Sequence, residues 1–157
     1  MILKIETGEQ NPILRQKSVA VSQIDKKLKK FLKAMAETML AKDGVGLAAP
    51  QVGVNERIVV LNLRIDKKKW QTVALVNPVI LDASVATICD DEGCLSLPGV
   101  VGEVERFATA TVKFLDENGA TRILELEGLN ARAIQHEIDH LDGMLFIDRA
   151  TKIRKDK

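Results

Sequence analysis

Both histidines of the chain lie within one stretch of six residues, QHEIDH, Gln135 to His140. Four residues apart on a helix, they share one face, with Cβ atoms roughly 5–6 Å apart. Two imidazoles so placed reach a single metal ion. Glu137 lies ~100° round the helix from His136, poorly placed to join both histidines as a ligand. It is well placed to touch a water held on that metal, which is the general-base arrangement of H-E-x-x-H sites. Ile138 falls on another side and is expected in the core. The competing reading is a surface helix in which this short pattern arose by chance.

A third protein ligand must then come from elsewhere, and the remaining soft donors are Cys89 and Cys94. Cys94 lies in EGCLSLPG (92–99), where Gly93 gives backbone freedom and Pro98-Gly99 marks a turn. A thiolate on such a loop can reach a metal. Cys89, in the apolar-flanked ATIC, is expected to be a buried structural thiol. Two His, one Cys and one position open to water make a catalytic set, because a structural site closes its fourth position. A third stretch, GVGLAAPQVG (44–53), lacks the lysine and hydroxyl of a phosphate loop. Its small residues allow close backbone approach, either to a ligand or to a packed neighbour in a tight helix-to-strand connection. In the first case a buried Gln51 amide beside the loop can donate to a developing oxyanion.

The rest of the chain sets the frame. Its 157 residues are the size of one domain (1–157), and 46% hydrophobic content is ample for a single core. Net charge is +1, with no basic excess to draw the chain onto nucleic acid or acidic lipid. No apolar run approaches the ~20 residues that cross a bilayer, and MILKIETGEQ lacks the features of a signal peptide. Reduced thiols in a cytoplasmic protein are therefore expected. Apolar residues recur at helical spacing from Ser22 to about Lys42, with Ser22 and Asp25 resembling a capping box and Gly44 a stop. RIVVLNL (57–63), TVALVNPVIL (72–81) and TATVKFL (109–115) read as strands, and DENG turns the last back along TRILELEG. A second helix runs from about Asn130 to Leu141. Strands grouped between helices, without regular βα alternation, indicate an α+β fold, with antiparallel or mixed sheets packed around the histidine helix.

GVGLAAPQ, EGCLS and QHEIDH, in this order and at these separations, resemble the three signature motifs of the peptide deformylases. The similarity runs from NPILRQKSVAV to GMLFIDR, nearly the whole chain. The resemblance implies an α+β hydrolase that removes the formyl group from formyl-methionyl nascent polypeptides, releasing formate. It implies one divalent metal per chain, natively Fe²⁺, with Zn²⁺, Ni²⁺ or Co²⁺ in purified protein. By the same resemblance Cys94, His136 and His140 are the metal ligands and Glu137 carries the proton. The Gln51 amide and the Leu95 backbone N–H stabilise the oxyanion, and Gly46 binds substrate through its backbone. Val45, Leu129 and Ala133 are candidates to line an apolar methionine pocket, with the Arg132 stem beside them. Arg106 and Asp139 are either partners behind the ligands or a solvated surface pair. A monomer with no membrane and no specific nucleic-acid partner is expected. Many members continue into a C-terminal helix that serves ribosome docking in some of them, whereas this sequence stops after RATKIRKDK. Two other classes compete: a zinc peptidase, which takes a third His or Glu, and a non-catalytic relative, which would have lost the base or an oxyanion donor.

Overall fold

Strand β2, Ile58–Arg64, shows how the layers stack, because it is apolar on both faces. Val59, Leu61 and Leu63 face one cluster of buried side chains, and Ile58 and Val60 face another. A strand that buries both sides reads as a continuous apolar run, and this one does. The computed structural model describes residues 1–156. In it, β2 lies inside a five-stranded antiparallel sheet with β1 (Gly46–Ala48), β3 (Trp70–Ala83), β6 (Thr109–Leu115) and β7 (Thr121–Glu127), in the order β1-β2-β3-β6-β7. A three-stranded antiparallel sheet holds β4 (Thr87–Cys94), β5 (Leu97–Phe107) and β8 (Thr151–Lys155), in the order β4-β5-β8. Between the sheets runs α3, Gly128–Leu141, which packs on β1, β2 and β7 from one sheet and β5 from the other.

The α+β architecture around the histidine helix is thus as expected, and the β6–β7 hairpin pairs Thr109 with Glu127 and Leu115 with Thr121 about the DENG turn. A short α1, Pro12–Arg15, precedes α2, which is shorter than the periodicity indicates: it spans Lys26–Ala41, and Asp25, not Ser22, is its cap. The Asp25 carboxylate accepts the Leu28 N–H at 2.9 Å, satisfying an orphan donor of the first turn. Leu28, Leu32, Met35 and Met39 then bury one stripe. At the far end Asp43, with φ 56°, takes the left-handed position expected of Gly44. The Gly44 N–H reaches back to the Met39 carbonyl at 2.9 Å.

The β4–β5 hairpin and β8 carry no apolar alternation that would announce them. Strand β4 is an edge strand exposed over most of its length. Cys89 consequently faces solvent, against the expectation of a buried thiol.

Helix α3 ends in a Schellman motif. The Gly143 N–H bonds the His140 carbonyl at 3.1 Å, and the Met144 N–H bonds the Asp139 carbonyl at 2.9 Å. Gly143 takes φ 76°, and a Cβ there would come within 2.5 Å of the Arg15 carbonyl oxygen. A side chain is excluded twice over, by backbone conformation and by the backbone of α1. Gly143→Ala is expected to lower unfolding free energy by about 2 kcal/mol or more. Chemical denaturation of the two proteins checks this, and an unchanged midpoint would show that the turn relaxes freely.

Candidate active site

Helix α3 presents His136 and His140 one turn apart, with ring centroids 5.0 Å from each other. Cys94 is the last residue of β4, just before the two-residue turn Leu95-Ser96 into β5, rather than part of a longer loop. Its Sγ lies 3.3 Å from His140 Nε2. One donor atom from each of Cys94, His136 and His140 falls within 4.8 Å of the others. The three donors thus gather about a common centre, the arrangement that a metal with Cys and His ligands requires.

The histidine ring nitrogens are sorted by what lies behind them. His136 Nδ1 donates to Glu92 Oε1 at 2.8 Å, leaving Nε2 as its free donor atom. The His136 ring also stacks on Phe146, with centroids 6.2 Å apart. Glu92 is itself buried and holds four hydrogen bonds. Arg106 contacts it through Nε and Nη2, each at 2.9 Å, Arg132 through Nη1 at 2.7 Å, and His136 completes the set. Burial raises the proton affinity of this carboxyl, but the Arg106 and His136 bonds outweigh it and hold the group well below the usual carboxylate range. Arg106 continues to Asp139 Oδ2 at 2.6 Å, and Asp139 also receives Arg149 Nε at 2.7 Å. Arg106 and Asp139 are therefore a buried pair behind the histidines, not a solvated one.

Glu137 turns the other way. It is 4% exposed, and its Oε1 is buried with no hydrogen-bond partner among the described residues. Its Oε2 lies 4.0 Å from His136 Nε2. Burial raises its pKa to about 7, partly opposed by His136. Gly46 is what makes room for it, since a Cβ at residue 46 would lie 2.6 Å from Glu137 Oε2. Burial opposes charging of both imidazoles. At His136, Glu137, Cys94 and Glu92 outweigh that and raise its proton affinity, whereas His140, also repelled by His136 and Arg106, is pushed well down. The same negative surroundings favour a cation among the three donors. The soft thiolate and imidazole donors suit a borderline divalent metal.

The Gln51 side chain is buried beside this cluster. Its Oε1 accepts the Ala48 N–H at 2.9 Å, and its Nε2 lies 3.1 Å from Ser96 Oγ and 3.4 Å from Cys94 Sγ. The stretch 44–53 is at once a tight connection and a wall of the site, with β1 followed by a 3₁₀ turn over Ala49–Val52. A cavity of about 410 Å³ opens onto the cluster, lined by Val45, Gly46, Gln51, Cys94, Leu95, Leu129, Arg132, Ala133, His136 and Glu137 among others. His140 is buried behind it. Leu129 is 42% exposed and forms the rim, while Ala133 is buried at the wall. Ile138 is half-buried against the main core. Arg132 is fixed by Glu92 and by the carbonyls of Val104 and Ile88, at 2.8 and 2.7 Å.

Glu92 and Ser96 are the site residues that the sequence reasoning passed over. Both lie in stretches already singled out around Cys94. Glu92 lies two residues before Cys94, with an irregularity of the β4–β5 pairing between them, so no alternation in the sequence announces it.

Removing the Glu92 carboxylate strands Arg106 and Arg132 in the interior and frees the His136 ring. Glu92→Ala is expected to lower stability by about 3 kcal/mol or more and to weaken metal binding by roughly 10- to 100-fold. Denaturation curves and a competitive chelator titration measure the two effects. An undiminished metal affinity would show that the ring is held by other contacts.

Comparison with known proteins gives the family of the chain. Residues 2–156 match the family described as polypeptide deformylase. A peptide deformylase of Natranaerobius thermophilus is 44% identical over 156 residues, covering 99% of this chain and 97% of the relative. Among solved structures, a peptide deformylase from Thermotoga maritima superposes with TM-score 0.88 at 42% identity, covering 96% of this chain and 99% of that one. A class I type b peptide deformylase from Acinetobacter baumannii with Met-Ala-Ser bound gives TM-score 0.86 at 35% identity, covering 95% and 99%. The chain belongs to the polypeptide deformylase family, metal-dependent hydrolases that remove the N-terminal formyl group from nascent polypeptides.

Proposed function

We propose that Cys94, His136 and His140 hold the metal and that Glu137 is the proton carrier of the reaction. The observation that carries this reading is the buried, partnerless Oε1 of Glu137 beside the three converging donors. A divalent ion held there would supply Lewis acidity and make a nearby water more acidic. Glu137 Oε1 accepts the proton of the attacking water and afterwards delivers it to the departing amine of the peptide. A carboxyl raised by burial to about 7 is suited to both transfers near neutral pH. Gln51, through Nε2, and Leu95, through its backbone N–H, donate to the oxyanion that forms on the formyl oxygen.

Substrate reaches these groups along β1. That strand is at the edge of its sheet, so the Gly46 backbone is open on one side to an added peptide strand. The first side chain of the substrate enters the cavity between Val45, Leu129 and Ala133, against the stem of Arg132. Methionine, unbranched and apolar, suits that wall. The Met-Ala-Ser held by the Acinetobacter baumannii relative supports this choice. In this reading residues 1–157 are one catalytic domain that acts as a monomer in the cytoplasm. Light scattering of the purified chain tests the monomer, which a dimer mass would contradict.

The reading is tested by formate release from formyl-Met-Ala-Ser, measured beside cleavage of an unformylated peptide. Formate release is expected, with norleucine nearly matching methionine at the first position. Alanine is expected to lose roughly tenfold or more in kcat/KM at ~0.8 kcal/mol per lost methylene. Glu137→Gln is expected to retain metal and lower kcat by about 10²–10⁴-fold. Internal cleavage of the unformylated peptide, or full turnover by Glu137→Gln, would defeat the assignment.

Iron is proposed as the native metal. The thiolate ligand set also accepts Zn²⁺, Co²⁺ and Ni²⁺, and affinity order favours zinc over iron. Protein purified in air is expected to hold mostly zinc or nickel, and anaerobic loading with Fe²⁺ to raise kcat/KM above the zinc form. Equal, oxygen-indifferent activity with zinc would refute iron while leaving the reaction intact.

A further inference from the structure

Ser96 is wholly buried, has no part in the chemistry described above, and touches the one side chain whose amide points at the metal cluster. The amide of Gln51 is oriented by two bonds. Its Oε1 accepts the Ala48 N–H at 2.9 Å, which fixes which end is oxygen. Its Nε2 donates one hydrogen to Ser96 Oγ at 3.1 Å and directs the other toward Cys94 Sγ, 3.4 Å away. With only the Ala48 bond, the amide plane pivots about a single point. The Ser96 bond supplies the second point and leaves one N–H free to face the reacting atoms. Ser96 can hold that point because its own backbone is fixed on the turn between β4 and β5, where its carbonyl accepts the Gly8 N–H at 3.0 Å.

We propose that Ser96 is a positioning residue, which sets the Gln51 amide so that its free N–H meets the oxyanion. This rests on the reading of Gln51 as an oxyanion donor. The amide reaches the substrate oxygen only as the oxyanion forms, so misplacing it lowers kcat and leaves KM unchanged. The N–H that serves the oxyanion is the one that otherwise meets the Cys94 sulfur. The same residue therefore also tunes the ligand thiolate.

The test compares Ser96→Ala, Gln51→Ala and the double variant as cobalt-substituted holoenzymes. Ser96→Ala is expected to lose about tenfold in kcat toward formyl-Met-Ala-Ser, a partial loss of one oxyanion donor's effect. KM, cobalt content and melting temperature are expected to stay at wild-type values. In the double variant kcat should equal that of Gln51→Ala, because Ser96 acts only through that amide. The sulfur-to-cobalt charge-transfer band should move in each single variant and no further in the double. Loss of cobalt, an unchanged kcat in Ser96→Ala, or a further tenfold loss when Ser96→Ala is added to Gln51→Ala would overturn the proposal. Undiminished kcat in Gln51→Ala alone defeats the reading of Gln51 itself. Ser96→Ala then has no amide through which to act, and either of its outcomes overturns the positioning role.

Discussion

The buried carboxylate of Glu92 joins the two halves of the molecule. It sits on β4, takes hydrogen bonds from Arg106 on β5 and from Arg132 and His136 on α3, and is 7% exposed. Strand pairing alone would leave the three-stranded sheet free to shift against the helix. A charge-assisted cluster with several fixed angles does not allow that. Since Cys94 follows Glu92 by two residues on the same strand, fixing Glu92 against His136 also fixes the sulfur against both imidazoles. In the cluster two buried carboxylates, Glu92 and Asp139, face two buried guanidiniums, Arg106 and Arg132, and the more exposed Arg149 adds a third at Asp139. Such a network stabilises little against an apolar replacement, while loss of one member is costly. Its value is in geometry.

The two carboxylates nearest the histidines divide the work by environment. Glu92 is saturated with donors and stays ionised, so it orients a ring and takes no proton. Glu137 is buried as deeply but left without a partner at Oε1, and its pKa rises to about 7. Opposite shifts in neighbouring acids suit one to orienting a ring and the other to the proton-carrying role proposed for it. Gly46 completes the division, because only a residue without a side chain leaves Glu137 its place.

Much of this was legible in the residues. The four-residue spacing of His136 and His140 indicated the helix and the face that carries both rings, and the turn DENG indicated the β6–β7 hairpin. The resemblance then picked out Cys94 from two thiols. What escaped was whatever depended on tertiary contact. Strand β4 is a polar edge whose partner on one side only leaves Cys89 in water, so an apolar flank in the sequence misled. Asp25, not Ser22, caps α2, because the helix begins only at Lys26 and Asp25 is the residue beside its first turn. The pairing of Glu92 with His136, 44 residues apart, leaves no local pattern to read.

The central claim is that a thiolate from the β4–β5 turn and two imidazoles from α3 hold one metal. Metal analysis of Cys94→Ala and Cys89→Ala, each loaded with one equivalent of Co²⁺ and desalted, tests it most directly. Cys94→Ala is expected to lose the metal and the sulfur-to-cobalt absorption, while Cys89→Ala keeps both. Retention of the absorption by Cys94→Ala, or its loss in Cys89→Ala, would contradict the account.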